Sequence, residues 1–246
     1  MRVIKCIFCG ECSTNSKSVE HIIPESLGNK TLILEKGVVC DKCNNYFSRK
    51  IEGPVLSLDT FKRLRFYNFV QNKAGNIPKS DAFFCGDLVE AKWEKVNGEY
   101  ALFLGLPPAA ICKMIDNPPK YFFTKGFDLS YDENHRYEIS RFLAKVAIEY
   151  YVYLFLENHK NDGEEELIIE FDKQLSKLVS FVRVGRSDKY PLHYEVFKEE
   201  GYKQDSKLEE FSISLGFIEE KEDLVFFMRI MNTTFKLNLS NNSILR

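Results

Sequence analysis

The sequence predicts an α+β protein with a small, metal-stabilised N-terminal unit followed by a larger mixed domain. Five of the seven cysteines lie within the first 43 of its 246 residues. One later segment repeats apolar residues at the three- and four-residue spacing of an amphipathic helix, and several short runs of β-branched and aromatic residues are separated by turn residues. Together these features favour a mainly antiparallel sheet with one long helix.

The composition excludes several classes of protein. Hydrophobic residues make up 44% and charged residues 28%, which is typical of a folded globular chain. No apolar run is long enough to cross a membrane, and the start lacks the apolar segment of a secretory signal, so we expect a cytoplasmic protein. The net charge of -2 argues against binding nucleic acid through bulk charge alone.

The clustered cysteines form two C-x-x-C pairs, Cys6 with Cys9 and Cys40 with Cys43, separated by thirty residues. Each pair can present two thiolates at the end of a tight turn. Two such pairs complete a tetrahedral four-cysteine zinc site, which is closed and therefore structural. Cys12 breaks the pairing and is expected to be a spare thiol.

The residues between the cysteine pairs predict a strand, a loop, a second strand and a helix. Residues 19–23 form the first predicted strand, which Pro24 ends, and residues 31–34 form the second. Residues 41–52 are predicted as a helix, with Gly53 and Pro54 at its end.

Three motifs in this order resemble the HNH endonucleases, in particular a zinc-bearing subgroup: C-x-x-C-G, E-H-I-I-P-x-S-L-G and V-C-x-x-C-N-N-x-F. The resemblance covers about residues 1–56. It implies a ββα-metal fold, similar to a treble clef, and hydrolysis of phosphodiester bonds with a divalent ion such as Mg²⁺. The family's association with bacterial or phage restriction and defence suggests such a role by analogy.

The resemblance also implies roles for single residues. His21 matches the general base, Glu20 matches an acidic ligand of the catalytic ion, and Asn44 matches the last motif position, which is also a ligand. Glu35 stands where the family has a middle asparagine that braces the loop, so this chain departs from the pattern there. Asn29 is an alternative brace.

The chemistry supports these assignments independently. A histidine has an ordinary pKa of about 6.5, which suits a general base at neutral pH. One carboxylate and one amide provide hard oxygen ligands of the kind that Mg²⁺ prefers. They leave several coordination positions open for water and phosphate. Asn45 or Ser48 could replace Asn44 as a ligand, and a water molecule could bridge Glu20 to the ion.

Basic charge gathers near the motif. Residues 1–70 carry 11 basic and 7 acidic residues, a net of +4, whereas the rest of the chain carries -6. The resemblance implies nucleic acid as the partner, with double-stranded DNA favoured, and the local basic charge is consistent with phosphate contacts. The candidate phosphate contacts are Arg49, Lys50, Lys62, Arg63 and Arg65. An equally weighted interpretation makes residues 61–67 a helix with an aromatic core stripe and a solvated face.

Residues 57–246 are predicted as one α+β domain for target recognition, partner binding or regulation. A helix is expected over residues 138–156, and a hairpin with its turn at Asn97 and Gly98 over residues 81–105. Loops are expected at residues 107–108 and 118–119. The remaining predicted strands are residues 167–171, 178–184, 194–197, 211–217, 224–231 and 234–239.

Three alternatives to this nuclease stay open. In the first, the chain is a catalytically silent zinc module that binds nucleic acid or a protein partner. In the second, the C-terminal domain senses a ligand and gates the nuclease. The C-terminal domain could also bind a protein partner or form a homo-oligomer. The third is a different nuclease site. Asp87, Glu90 and Lys92 loosely match another nuclease class, but such triplets arise by chance in a highly charged chain.

Overall fold

The computed structural model describes residues 2–72, 74–84, 86–116, 123–124, 135–160, 166–185, 194–198, 213–220, 223–230 and 233–239. The α+β class is confirmed, and antiparallel pairing dominates. The chain divides into two compact units. Unit 1 contains Met1–Pro24, Asn29–Val55 and Asp132–Arg246, and unit 2 contains Glu25–Gly28 and Leu56–Tyr131. The predicted domain boundary at residue 56 delimits a sequence motif. The division into packing units does not test it, so the boundary stays a prediction.

Unit 1 contains the cysteine pairs and the larger share of the chain. The described elements are β1 (Arg2–Val3), β2 (Glu20–His21), β3 (Ile33–Leu34), α1 (Asp41–Phe47), a π-helical segment (Ser48–Glu52), α5 (Arg136–Asn158), β8 (Glu166–Leu167), α6 (Lys173–Val184), β9 (Tyr194–Lys198), β10 (Ile213–Glu220), β11 (Asp223–Ile230) and β12 (Thr233–Asn238). Strands β1 and β8 pair in parallel, β2 and β3 pair antiparallel, and the order of the larger sheet is β10-β11-β12-β9.

The described elements of unit 2 are a 3-10 turn (Glu25–Leu27), α3 (Asp59–Tyr67), β4 (Ser80–Phe84), β5 (Asp87–Val96), β6 (Glu99–Gly105), α4 (Pro108–Asp116) and β7 (Phe123–Thr124). The strands form an antiparallel sheet in the order β6-β5-β4-β7. Asn97 and Gly98, both with positive φ, form the predicted turn between β5 and β6, and the hairpin is confirmed. Residues 118–119, a predicted loop, lie outside the described residues.

The motif helix does not end at Gly53 and Pro54, so that prediction is wrong. After α1 the backbone widens into the π-helical segment and continues as α2 (Gly53–Leu56). The Gly53 amide donates to the Ser48 carbonyl, a five-residue step, and a Cβ on Gly53 would lie 3.1 Å from that oxygen. Glycine therefore fits the wide turn, and proline is tolerated at the start of the helix that follows it.

The predicted strand over residues 178–184 is also wrong, since these residues belong to helix α6. Asp172 caps the helix by accepting from the Leu175 amide at 2.8 Å, and Gly185, with φ +69°, follows its last turn. The buried side chains of Leu178, Val179 and Val182 follow a helical spacing. The β-branched valines of this segment favoured a strand. Asp172 and Gly185 are nevertheless typical of the start and the end of a helix.

Helix α5 is confirmed and lies at the centre of unit 1. Its residues from Ile139 to Glu149 are all buried, and it packs against α6 and the sheet of β9 to β12. A helix buried on all sides must pair any charge that it carries. No helix in the described ranges is long and apolar enough to span a bilayer.

Candidate metal centre and active site

The four cysteines of the two C-x-x-C pairs converge on one point. Their Sγ atoms all lie within 4.8 Å of one another, and those of Cys9 and Cys40 are 3.7 Å apart. With a Zn–S distance of about 2.3 Å, the edge of a sulfur tetrahedron is about 3.8 Å. The four thiols, Cys6, Cys9, Cys40 and Cys43, are thus positioned to bind a metal, and their geometry fits zinc.

Local backbone contacts build the two turns. The Gly10 amide donates to the Cys6 carbonyl at 2.9 Å, and Gly10 takes the positive φ of +71° that such a turn requires. The Ile7 amide donates to the Val38 carbonyl at 3.0 Å and joins the turns. Cys40 then precedes α1, whose first turn carries Cys43.

The pKa values of the cysteine thiols indicate that the cluster needs a bound cation to be fully deprotonated. The hydrogen bond from Cys43 lowers the pKa of Cys6 to about 5. Burial raises the pKa of Cys9 to about 11, and the hydrogen bond to Cys6 raises the pKa of Cys43. One thiolate is therefore stable in the cluster, whereas four adjacent thiolates need a bound cation to offset their repulsion.

Asn29 braces the loop between β2 and β3. Its Nδ2 donates to the carbonyls of Ile23 at 2.7 Å and Leu32 at 2.9 Å. Its Oδ1 accepts from the amides of Thr31 and Leu32. Glu35, which occupies the expected middle position by spacing, is exposed. The loop is thus braced in this chain, and Asn29 is the residue that does so.

His21 lies on β2 opposite Ile33, and its side chain is half-buried. Within the described part of the chain, its imidazole makes no hydrogen bond or ion pair. Both ring nitrogens are therefore available for exchange of a proton. The preceding residue, Glu20, is buried, as expected for neighbours that point to opposite sides of a strand.

Asn44 reaches the same strand from α1. Its Nδ2 donates to the Val19 carbonyl at 3.0 Å, which fixes the amide plane and leaves Oδ1 without a partner among the described residues. The amide is only partly buried. Asn44 therefore offers one oxygen ligand beside the strand that carries Glu20 and His21.

Residues 6–57 match the HNH endonuclease family. The match ends close to the boundary of the motif and covers about a fifth of the chain. No curated protein and no solved structure matches the sequence. We call the matched residues the HNH segment.

In the HNH segment, the Glu20 carboxylate is only 4% exposed and pairs with a lysine from far along the chain. Oε1 lies 2.6 Å from Nζ of Lys145, on α5. The same ammonium lies 2.7 Å from Glu52 Oε1 and 3.0 Å from Glu149 Oε2. Glu20 Oε2 is buried and has no hydrogen-bond partner among the described residues. We call Glu20, Glu52, Lys145 and Glu149 the buried charge cluster.

In the buried charge cluster, burial and ion pairing shift the pKa values in opposite directions. Burial raises the pKa of Glu20 and of Glu149, and the Lys145 charge offsets only part of this. For Lys145, burial alone would lower the pKa, but the three carboxylates outweigh it and raise the pKa well above its usual value. Lys145 is therefore held as a cation in the interior.

Sequence reasoning missed Lys145, Glu149 and Arg141. A signal was available in the sequence, because these charged residues recur every four positions inside the long helix whose apolar periodicity was recognised. A charge at a core position requires a partner. The identity of that partner, 125 residues earlier for Glu20, had no local signal.

The expected phosphate contacts differ in accessibility. Arg49 and Lys50 are exposed on the π-helical segment, and Lys62 is half-buried and lies 3.8 Å from Asp59. Arg63 and Arg65 are each 7% exposed, and burial lowers the pKa of Arg65. Buried guanidinium groups cannot meet a duplex without rearrangement, so the structure favours the interpretation of residues 61–67 as a packed helix.

Strand β5 carries Asp87, Glu90 and Lys92, the triplet that loosely matches another nuclease class. These residues form ion pairs at the surface. Asp87 pairs with Lys113 at 2.8 Å, and Glu90 pairs with Lys79 at 2.7 Å. Lys92 pairs with Glu94 at 2.6 Å. These three residues use different partners, which gives no support for a shared ion site.

Proposed function

We propose that this protein is a metal-dependent HNH endonuclease that hydrolyses phosphodiester bonds in nucleic acid, with DNA as the favoured substrate. The observation that carries the proposal is His21: its imidazole is half-buried, has no hydrogen bond or ion pair within the described ranges, and lies on a strand inside a segment that matches the family. The match implies nuclease chemistry, and His21 is the group suited to begin it.

In the proposed reaction, His21 accepts a proton from the attacking water. An imidazole suits this step because its ordinary pKa lies near neutral pH. The Asn29 brace keeps the loop after β2 in one conformation, so His21 is presented without a large reorganisation.

Glu20 and Asn44 are the proposed ligands of a divalent ion such as Mg²⁺. The donor atoms suit such an ion, because Glu20 Oε2 and Asn44 Oδ1 are hard oxygen ligands, and neither has a hydrogen-bond partner among the described residues. When bound, the ion supplies positive charge that stabilises the phosphate and the leaving oxygen.

The four cysteines are proposed to hold zinc in a purely structural role. Four sulfur ligands leave no open position for a substrate. The zinc would fix α1, and with it Asn44, against the turn that carries Cys6 and Cys9. The proposed phosphate contacts are the exposed Arg49 and Lys50, which lie on the same helical run as Asn44.

The reaction is proposed to take place in the cytoplasm, where cysteines stay reduced and available to zinc. A role in restriction or defence is a prediction from the family association alone.

Plasmid cleavage with Mg²⁺ or Mn²⁺ tests the proposal. We expect His21→Ala to lower kcat by about 100-fold or more, because it removes the general base. His135→Ala is the matched control, since His135 lies in the same unit but outside the HNH segment, with its Nδ1 4.0 Å from Glu138 Oε2. It should cleave like the wild type.

The proposal fails if wild type and His21→Ala cleave equally, or if neither cleaves with any divalent metal. Binding of DNA without cleavage would instead support the silent zinc module. Activity that appears only after addition of cell extract would favour a ligand-gated enzyme.

A further inference from the structure

A row of charged residues on α5 faces the HNH segment. Arg141, Lys145 and Glu149 are spaced four residues apart, which places them on one side of the helix. All three are buried. Because burying charge is costly, each must be offset by contacts, and those contacts show what the row does.

Lys145 connects directly to the strand that carries His21. Its Nζ lies 2.6 Å from Glu20 Oε1 and 3.4 Å from the carbonyl oxygen of His21 itself. Its other partners, Glu52 and Glu149, lie in the π-helical segment and on α5. One ammonium therefore ties β2, the end of the motif helix and α5 together.

Arg141 makes a second connection one turn earlier. Its Nη2 donates to the Tyr46 hydroxyl at 2.8 Å, and Tyr46 belongs to α1, next to Asn45 and Asn44. The same guanidinium donates to the Val182 carbonyl at the end of α6. Two adjacent turns of α5 thus contact the two elements that carry the proposed catalytic residues.

Strand β2 has few ladder contacts of its own. It is two residues long, and its ladder partner in the described part of the chain is the two-residue strand β3. Because few ladder hydrogen bonds restrain so short a strand, its position depends on contacts from outside the ladder, including those of Asn44 to the Val19 carbonyl and of Lys145 to Glu20. Lys145 holds Glu20 Oε1, whereas Oε2 has no hydrogen-bond partner among the described residues.

We propose that Lys145 is a positioning residue of the nuclease site, which orients Glu20 for the divalent ion and fixes the backbone of His21. This inference rests on the proposed function. Lys145 is fully buried, so it acts through Glu20 and His21 rather than by touching substrate. Residues outside the matched HNH segment thereby become part of the site.

The chemistry of the ammonium fits this role. An ammonium can donate three hydrogen bonds, and the short contact of 2.6 Å to Glu20 Oε1 holds that carboxylate in one orientation. Without the ammonium, the carboxylates of Glu20, Glu52 and Glu149 would repel one another at close range. A ligand carboxylate that loses its supporting contact typically costs about 10- to 100-fold in metal affinity.

The test variant is Lys145→Met with Glu149→Met. Removing Glu149 together with Lys145 leaves two carboxylates, Glu20 and Glu52, without their counter-charge instead of three, so the double variant should fold better than Lys145→Met alone. Glu149→Met by itself is the matched control, because it lies on the same helix at the same depth and leaves Lys145 in contact with Glu20, Glu52 and His21. Circular dichroism melting identifies a temperature at which all variants are folded.

Two measurements at that temperature distinguish positioning from a structural role. Calorimetric titration of zinc-loaded protein with Mn²⁺ gives the dissociation constant without reference to activity. Cleavage kinetics give kcat and KM for DNA separately. For the double variant we expect Mn²⁺ binding about 10- to 100-fold weaker and a lower kcat. KM for DNA should stay within about threefold, since a buried side chain does not contact substrate. Glu149→Met should stay near wild type in both.

The inference is overturned if the folded double variant binds Mn²⁺ and cleaves like wild type, since Lys145 would then only stabilise the fold. Tighter Mn²⁺ binding would overturn it too, because Lys145 would then compete with the ion. The comparison applies when the wild type cleaves DNA and His21→Ala does not. If cleavage does not depend on His21, the proposed nuclease function fails first and the role of Lys145 falls with it.

Discussion

At the scale of single residues, Asn29 shows how one side chain can fix a catalytic loop. Its side-chain amide pairs with the carbonyls of Ile23 and Leu32 and with the backbone amides of Thr31 and Leu32, in the loop that joins β2 to β3. It is almost completely buried, so water cannot replace these contacts. The spacing of the motif places Glu35 at the middle position, whereas the geometry selects Asn29 as the brace.

Asn29→Ala should lower the free energy of unfolding by about 1–3 kcal/mol, because it leaves buried backbone groups unsatisfied. Asn29→Asp is the control, since it keeps the acceptor for Thr31 and Leu32 but loses both donated bonds. Guanidinium unfolding measures both variants, and an Asn29→Ala midpoint equal to that of the wild type would contradict the bracing role.

Gly37 and Gly10 are both in the left-handed region, with φ of +93° and +71°, but their surroundings differ. A Cβ on Gly37 would lie 3.2 Å from the Val3 carbonyl oxygen and 3.3 Å from that of Ser13, whereas a Cβ on Gly10 would meet nothing within 4 Å. Backbone oxygens cannot move aside as the end of a flexible side chain can.

Gly37→Ala should therefore destabilise the fold more than Gly10→Ala does. We expect about 1 kcal/mol for Gly10→Ala from the conformational strain alone, and a larger loss for Gly37→Ala because steric contact is added. Thermal unfolding of the two zinc-loaded variants checks the order, and equal losses would show that the Gly37 site relaxes.

At the scale of elements, the two cysteine turns and α1 form one structural unit around the metal. Cys12 is outside it: its Sγ lies 3.3 Å from Thr14 Oγ1 and is exposed. The sequence argument that Cys12 is a spare thiol is therefore consistent with its position, and the remaining four sulfurs suffice for a closed site.

Cys40→Ser should abolish stoichiometric zinc binding, whereas Cys12→Ser should retain about one zinc ion per chain. Elemental analysis of dialysed protein gives the stoichiometry. Chelation should also lower the melting temperature of wild type, because metal binding is linked to folding. Loss of zinc from Cys12→Ser, or full zinc content in Cys40→Ser, would contradict the ligand set.

At the scale of the whole molecule, helix α5 ties residues that are far apart in sequence into unit 1. The contact between Lys145 and Glu20 spans 125 positions, and the contact between Arg141 and Tyr46 spans 95. The HNH segment is thus not self-sufficient, because the charge of its buried Glu20 is compensated from outside the segment.

Lys145→Met alone should cost about 3–5 kcal/mol of unfolding free energy, since it leaves buried carboxylates without their counter-charge. Lys113→Met removes an exposed lysine whose partner is Asp87 and should cost less than about 1 kcal/mol. Denaturant unfolding of both variants measures the difference. Similar losses would mean that the buried charge cluster is solvated in solution.

Local chemistry made much of this protein predictable. The spacing of Cys6, Cys9, Cys40 and Cys43 indicated a four-sulfur site, Asn97 and Gly98 indicated a hairpin, and periodic apolar residues indicated α5, because each signal lies within a few residues or a repeated motif. Errors arose where local signals competed: Gly53 and Pro54 resemble a helix end but accommodate a π turn, and β-branched residues concealed α6.

The sequence by itself determined the cysteine cluster, the motif order around His21 and the α+β class, since these depend on residue type and spacing. Only the tertiary structure decided that Asn29 braces the loop, that Arg63 and Arg65 are buried, and that Glu20 pairs with Lys145. These facts depend on which distant surfaces pack together to bury apolar area. A charge enclosed by that packing must take whichever partner the fold brings within reach.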